Sequence, residues 1–99
     1  MSNRFSAEQV ERARATPLAD TVEILGLYSK PDSAFKPIKH GYTQRWHVSV
    51  GASVIEMLVT GEKWFVPAEE RGGGGAIDLA KYLGKLDFVQ AVKLLIRAS

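Results

Sequence analysis

The sequence predicts an α+β fold: a small antiparallel three-stranded sheet flanked by N- and C-terminal helices. Three observations predict it. Ser6-Ala7-Glu8-Gln9 and Asp87-Phe88-Val89-Gln90 are capping boxes, each pairing a short polar side chain with a Gln three residues on, and they mark helix starts near opposite ends of the chain. Between them, residues 45–66 alternate apolar and polar side chains with the two-residue period of half-buried strands. Two glycine-led pairs, Gly51-Ala52 and Gly61-Glu62, interrupt that alternation where two-residue hairpin turns need φ > 0 at the first central position.

From the first capping box a helix runs to about Ala15. Thr16-Pro17 restarts a helix with Thr as N-cap and Pro at the first position, where its missing N–H is harmless. Leu18, Val22 and Leu25 share one face of it, and Gly26 ends it. Residues 28–41, with Pro31, Pro37 and scattered polar residues, read as a loop.

Counting outward from the two turns pairs Val50 with Ser53, Val48 with Ile55, Trp46 with Met57, Val59 with Trp64 and Met57 with Val66. One sheet face then collects Trp46, Val48, Val50, Ile55, Met57, Val59, Trp64 and Val66, which is a core face. Both tryptophans are assigned to packing on that count. The other face collects Arg45, His47, Ser49, Val54, Glu56, Leu58, Thr60, Lys63 and Phe65, and is the candidate working surface. Residues 67–75 read as a loop ending in four glycines. Ala76, Leu79, Ala80 and Leu83 recur at helical spacing, Gly84 stops that helix, and Phe88, Ala91, Val92 and Leu95 stripe a last helix with Arg97 in its final turn.

Ninety-nine residues with 45% hydrophobic content suit one domain over residues 1–99. The chain has no Cys, and its two His, seven positions apart, fall short of the four ligands of a structural zinc, so no metal or cofactor is expected. No apolar run approaches the ~20 residues that span a bilayer, and the start lacks a secretory core; a soluble, cytoplasmic chain away from membranes is expected. Net charge is only +2, yet residues 30–55 hold Lys30, Lys36, Lys39 and Arg45 against a single Asp32. No nucleophile stands with a recognisable base and orienting partner, so this chain is not expected to be an enzyme.

The ordered blocks Gly61-Glu62-Lys63-Trp64-Phe65, Arg71-Gly72-Gly73-Gly74-Gly75-Ala76-Ile77-Asp78-Leu79 and Leu86-Asp87-Phe88-Val89-Gln90-Ala91-Val92 resemble the C-terminal half of the zinc-binding domain of bacterial DNA primases, without the knuckle cysteines. Residues 10–22, with Thr16-Pro17-Leu18-Ala19-Asp20-Thr21-Val22, extend the resemblance toward the N-terminus. Still more similar is the cysteine-free version at the start of plasmid and mobile-element proteins that carry a toprim catalytic domain or a relaxase. The resemblance implies that the sheet is zinc-ribbon-like without zinc, and that the chain is a non-catalytic accessory module that binds single-stranded DNA in plasmid or mobile-element replication or transfer. The alternative is an interaction module docking onto a primase, polymerase or helicase.

Candidate nucleic-acid-binding residues are Lys36, Lys39, Arg45, His47, Lys63, Phe65 and Arg71. Cations neutralise phosphates, and an exposed aromatic among them stacks a base. Phe65 is read either as such a platform or as partly covered by the N-terminal helices. His47 faces Glu56 as a cross-strand polar pair. The glycine run is either a flexible crossing where a knuckle would turn the chain, or a cradle of backbone N–H groups for a phosphate.

Overall fold

A computed structural model describes residues 5–36 and 41–98. It is α+β, with five antiparallel strands rather than three: β1 (Tyr28–Pro31), β2 (Gln44–Val50), β3 (Ser53–Thr60), β4 (Lys63–Val66) and β5 (Arg71–Gly74), lying side by side in chain order. Helices α1 (Ala7–Arg14) and α2 (Leu18–Ile24) precede the sheet, and α3 (Gly75–Gly84) and α4 (Phe88–Ala98) follow it. α2 and α3 cover one face of the sheet, and α1 and α4 pack against α3 from behind.

The register is the one the turns dictate. Val50 pairs with Ser53, Val48 with Ile55, Trp46 with Met57 and Val59 with Trp64. The β3–β4 ladder stops at Leu58–Phe65, one step short of Met57–Val66. Gly51 and Gly61 carry φ of 61° and 62°, the positive values that lead each hairpin turn. With parity thus fixed, Trp46, Val48, Met57, Val59, Trp64 and Val66 are buried against Leu18 and Val22 of α2 and Leu79 and Leu83 of α3. Met57 and Val48 have no exposed surface; truncating a core side chain of Met57's size typically costs ~2–5 kcal/mol.

The two extra strands lie in segments whose composition reads as loop. Tyr28–Pro31 pairs with β2 along its whole length, Tyr28 with Ser49 through Pro31 with Trp46. Pro31 is tolerated because β1 is an edge strand, where a missing N–H breaks no ladder bond.

The glycine run is β5, neither a flexible crossing nor an amide cradle. Gly73 pairs with Trp64 and Gly72 with Phe65, and each aromatic ring occupies the space a side chain on its partner would fill. A Cβ on Gly73 would sit 2.8 Å from Trp64 Cζ2, and one on Gly72 would sit 3.1 Å from Phe65 Cδ1. Absent side chains thus let one aromatic lie across β5 on each face of the sheet. At the strand's end, Gly75 N donates to Glu62 O at 2.7 Å and Gly74 N to Asp78 Oδ2 at 3.3 Å, so those amides are already taken.

Both capping boxes form as read: Gln9 N donates to Ser6 Oγ and Gln90 N to Asp87 Oδ1, with each Gln side chain accepting from the cap amide. Three local readings need correction. Thr16 does not cap α2; its hydroxyl donates instead to Arg12 O, and Pro17 is the N-cap with no side-chain bond. The left-handed residue after α3 is Lys85, at φ 53°, while Gly84 is the last residue of the helix and lies against the Leu25 side chain. Phe88 is 42% exposed, so Ala91, Val92 and Leu95 alone form the buried stripe of α4. Among the described residues no helix is long and apolar enough to cross a membrane.

Candidate nucleic-acid interface

The sheet face opposite the helices is uncovered. Reading its outward residues across the strands, Tyr28, Ser49 and Val54 make one row, and Lys30, His47 and Glu56 the next. Arg45, Leu58, Phe65 and Gly72 make a third, and Thr60 with Lys63 a fourth. Thr43 and Thr60 share a hydroxyl hydrogen bond of 2.8 Å at that end. Phe65 is 42% exposed on this face and sits under no helix, which removes the reading that the N-terminal helices cover it.

The third row continues into a turn that sequence reading left as loop. Asp32 N donates to Arg45 O at 2.8 Å, carrying the β1–β2 pairing one step beyond the strand. Asp32 Oδ2 accepts from Arg45 Nε at 2.9 Å and Nη2 at 2.7 Å, and faces His47 Nε2 at 3.1 Å. The other carboxyl oxygen accepts from Ala34 N at 3.0 Å, and Phe35 N donates to Asp32 O at 3.2 Å. The turn so fixed brings the Phe35 ring onto the Arg45 guanidinium, 5.1 Å from Cζ to ring centre. Hydrogen bonds from Arg45 first, then His47 and the Ala34 amide, hold the Asp32 carboxyl down at about 2.

His47 is the clearest correction at the site. Its strand position is opposite Glu56 as read, but its ring turns to Asp32 instead. Arg45 likewise faces the open side with its charge matched by Asp32.

The remaining candidates divide. Lys63 is exposed next to Phe65, and Lys36 is exposed directly after Phe35. Neither makes a salt bridge among the described residues, nor does Lys30, which sequence reading did not single out. Lys39 lies outside the described residues. Arg71 is not part of this surface: it pairs with Val66, whose side chain is in the core, and its guanidinium covers the Tyr82 ring of α3 at 5.4 Å. Tyr82 in turn stacks on Trp64 with centroids 5.1 Å apart and donates its hydroxyl to Glu69. Desolvation, reinforced by that carboxylate, pushes the Tyr82 phenol up to about 12.

Asp32 and Phe35 are the residues sequence reading missed. The signal was present in part, since a lone carboxylate among four cations needs a partner, but the separation of 13 residues to Arg45 becomes contact only once β1 is recognised as a strand. Among the described residues there is no group of three or more His, Asp or Glu side chains that could hold a metal ion. No family model matches the chain, and no curated protein or solved structure is similar to it.

Proposed function

We propose that this chain is a non-catalytic module that binds single-stranded DNA on its open sheet face, an accessory in plasmid or mobile-element replication or transfer, and a cysteine-free counterpart of the primase zinc-binding domain. The observation that carries the reading is Phe65, 42% exposed on β4 of an uncovered sheet face with Lys63 beside it. A base stacks on such a ring for ~1–3 kcal/mol whatever its identity, and a lysine nearby meets the phosphate. Lys30, Lys36 and Lys63 supply positive charge that has no carboxylate partner among the described residues, which suits a polyanion. The primase likeness rests on the ordered Gly-Glu-Lys, glycine-run and Asp-Phe-Val-Gln blocks of the sequence.

The test is a titration of the isotopically labelled chain with a single-stranded oligonucleotide, following amide resonances. Arg45, His47, Lys63 and Phe65 should move, with micromolar or weaker affinity at physiological salt, while the Leu79, Leu83 and Leu95 amides stay in place. Shifts confined to α4 would transfer the site to the helical side.

A second reading, a module that docks onto a primase, polymerase or helicase, is favoured by one observation. Tyr28 and Val54, 67% and 64% exposed, stand on either side of Ser49 at one end of the same face, and Arg45 is already matched by Asp32. Salt separates the two, because phosphate contacts weaken steeply as salt rises and an apolar protein interface does not.

A further inference from the structure

We infer that the open face has a second base-stacking position, built from Phe35 and Arg45, so that a single strand is read across the row Phe35–Arg45, Leu58, Phe65. This rests on the proposed DNA-binding reading and extends it to the footprint and to a residue outside the strands.

The turn after β1 is over-determined for a surface segment. Asp32 spends its amide, its carbonyl and both carboxyl oxygens on holding it, and the result is one aromatic ring laid on one guanidinium on the side of the sheet away from the core. Phe35 is half-buried and belongs to neither core cluster. A guanidinium fixed flat by a carboxylate and an aromatic is itself a stacking surface for a base, and it needs no free charge to act as one. Matching by Asp32, which weakens Arg45 as a phosphate ligand, therefore suits it to this other role.

The spacing fits the same ligand. Arg45 pairs with Leu58 and Leu58 with Phe65, so the two platforms stand two strand spacings apart, about 10 Å, with an aliphatic side chain between them. That distance takes a strand whose bases are splayed onto separate platforms, with the middle base over Leu58, giving a footprint of about three nucleotides. Lys36 next to Phe35 and Lys63 next to Phe65 put beside each platform one cation that makes no salt bridge among the described residues, where the phosphates flanking the outer bases would run. A duplex, whose bases are paired and stacked, cannot use two separated platforms in this way.

The experiment measures affinity for thymidine oligomers from dimer to hexamer with the parent chain and with Phe35→Ala, Phe35→Trp and Phe65→Ala, each variant first checked by its melting curve. Phe35→Ala should lower hexamer affinity roughly ten-fold, the usual scale for one lost stack, and leave dimer affinity unchanged. Phe35→Trp should keep hexamer affinity and report the contact directly by fluorescence quenching, which a merely structural role would not produce. If Phe35→Ala binds the hexamer like the parent while Phe65→Ala is weakened, or if the Phe35→Trp signal is unmoved by bound hexamer, the second position is wrong and the DNA-binding reading stands. If the parent binds no oligomer at all, both fall and the protein-docking reading takes their place.

Discussion

Asp32 and Arg45 bind one another twice, once through the backbone, where Asp32 N meets Arg45 O at 2.8 Å, and once through the side chains, where two guanidinium nitrogens reach Asp32 Oδ2. The first contact extends a sheet ladder and the second neutralises a candidate phosphate ligand, so one residue sets both the shape and the charge of the open face.

That pairing is pH-dependent in a definite direction. The carboxyl titrates at about 2 when folded against an ordinary value of 3.8, so the deprotonated form is favoured by the fold. Its stabilising effect is fully present above about pH 4 and is lost as the pH falls through 2. A carboxyl-carbon NMR titration should give a midpoint near 2 for Asp32, with the Arg45 Nε–H resonance moving at the same midpoint; a midpoint near 4 would mean that the contact is not held in solution.

Lys63 and Arg45 should differ in how they respond to salt. Lys63→Ala removes an unmatched cation and should flatten the dependence of log affinity on log salt by about 0.7, the single-strand value for one phosphate contact. Arg45→Ala should flatten it less, because the Arg45 charge is already met by Asp32. Phe65→Ala should cost ~1–3 kcal/mol of single-strand binding with the slope unchanged. Equal slopes for Lys63→Ala and the parent would remove Lys63 from the interface.

Gly73→Ala should destabilise the fold by about 1–3 kcal/mol, because its methyl would land 2.8 Å from the buried Trp64 indole, which is stacked on Tyr82 and has no room to retreat. Denaturant melts read it. A neutral outcome would mean that β5 or the indole shifts freely, contrary to the tight strand described above.

The residue just after α3 should gain from glycine. Lys85→Gly relieves a left-handed backbone at φ 53° and should raise stability by about 0.5–1 kcal/mol. A melting midpoint at or below the parent's would mean that this backbone conformation costs the lysine nothing.

The parts of the fold that were legible in the sequence are those fixed by local chemistry. Two capping boxes and two glycine turns each act within four residues, and the turns carry the register of β2, β3 and β4 with them. Strands β1 and β5 were hidden because their residues oppose their conformation: Pro31 lacks a ladder donor, and glycine loses the most entropy in a strand. Tertiary contacts override both. What makes the glycines a strand is a pair of aromatics on the neighbouring one, and what makes residues 32–35 a defined turn is an arginine 13 residues away from Asp32. The same limit applied to the site: Phe65 and Lys63 were found from parity alone, while Phe35 and the true partner of His47 required the turn.

The sheet's spatial order, β1-β2-β3-β4-β5, repeats the order of synthesis, and this bears on how the chain folds. Each strand can zip onto the one made just before it, across residues 51–52, 61–62 and 67–70 for the last three pairings and across the longer 32–43 for the first, so every strand's partner is its neighbour in the chain. Such local closure favours rapid, hairpin-by-hairpin assembly. The last strand to join is the glycine one, and it brings α3 with it, since Gly74 is followed at once by the helix that carries Leu79 and Leu83 into the core. Completion of the sheet therefore brings in the second helix of its apolar face, and a nascent chain halted before Gly75 would lack the Leu79 and Leu83 side chains of the core that holds Trp64 and Met57.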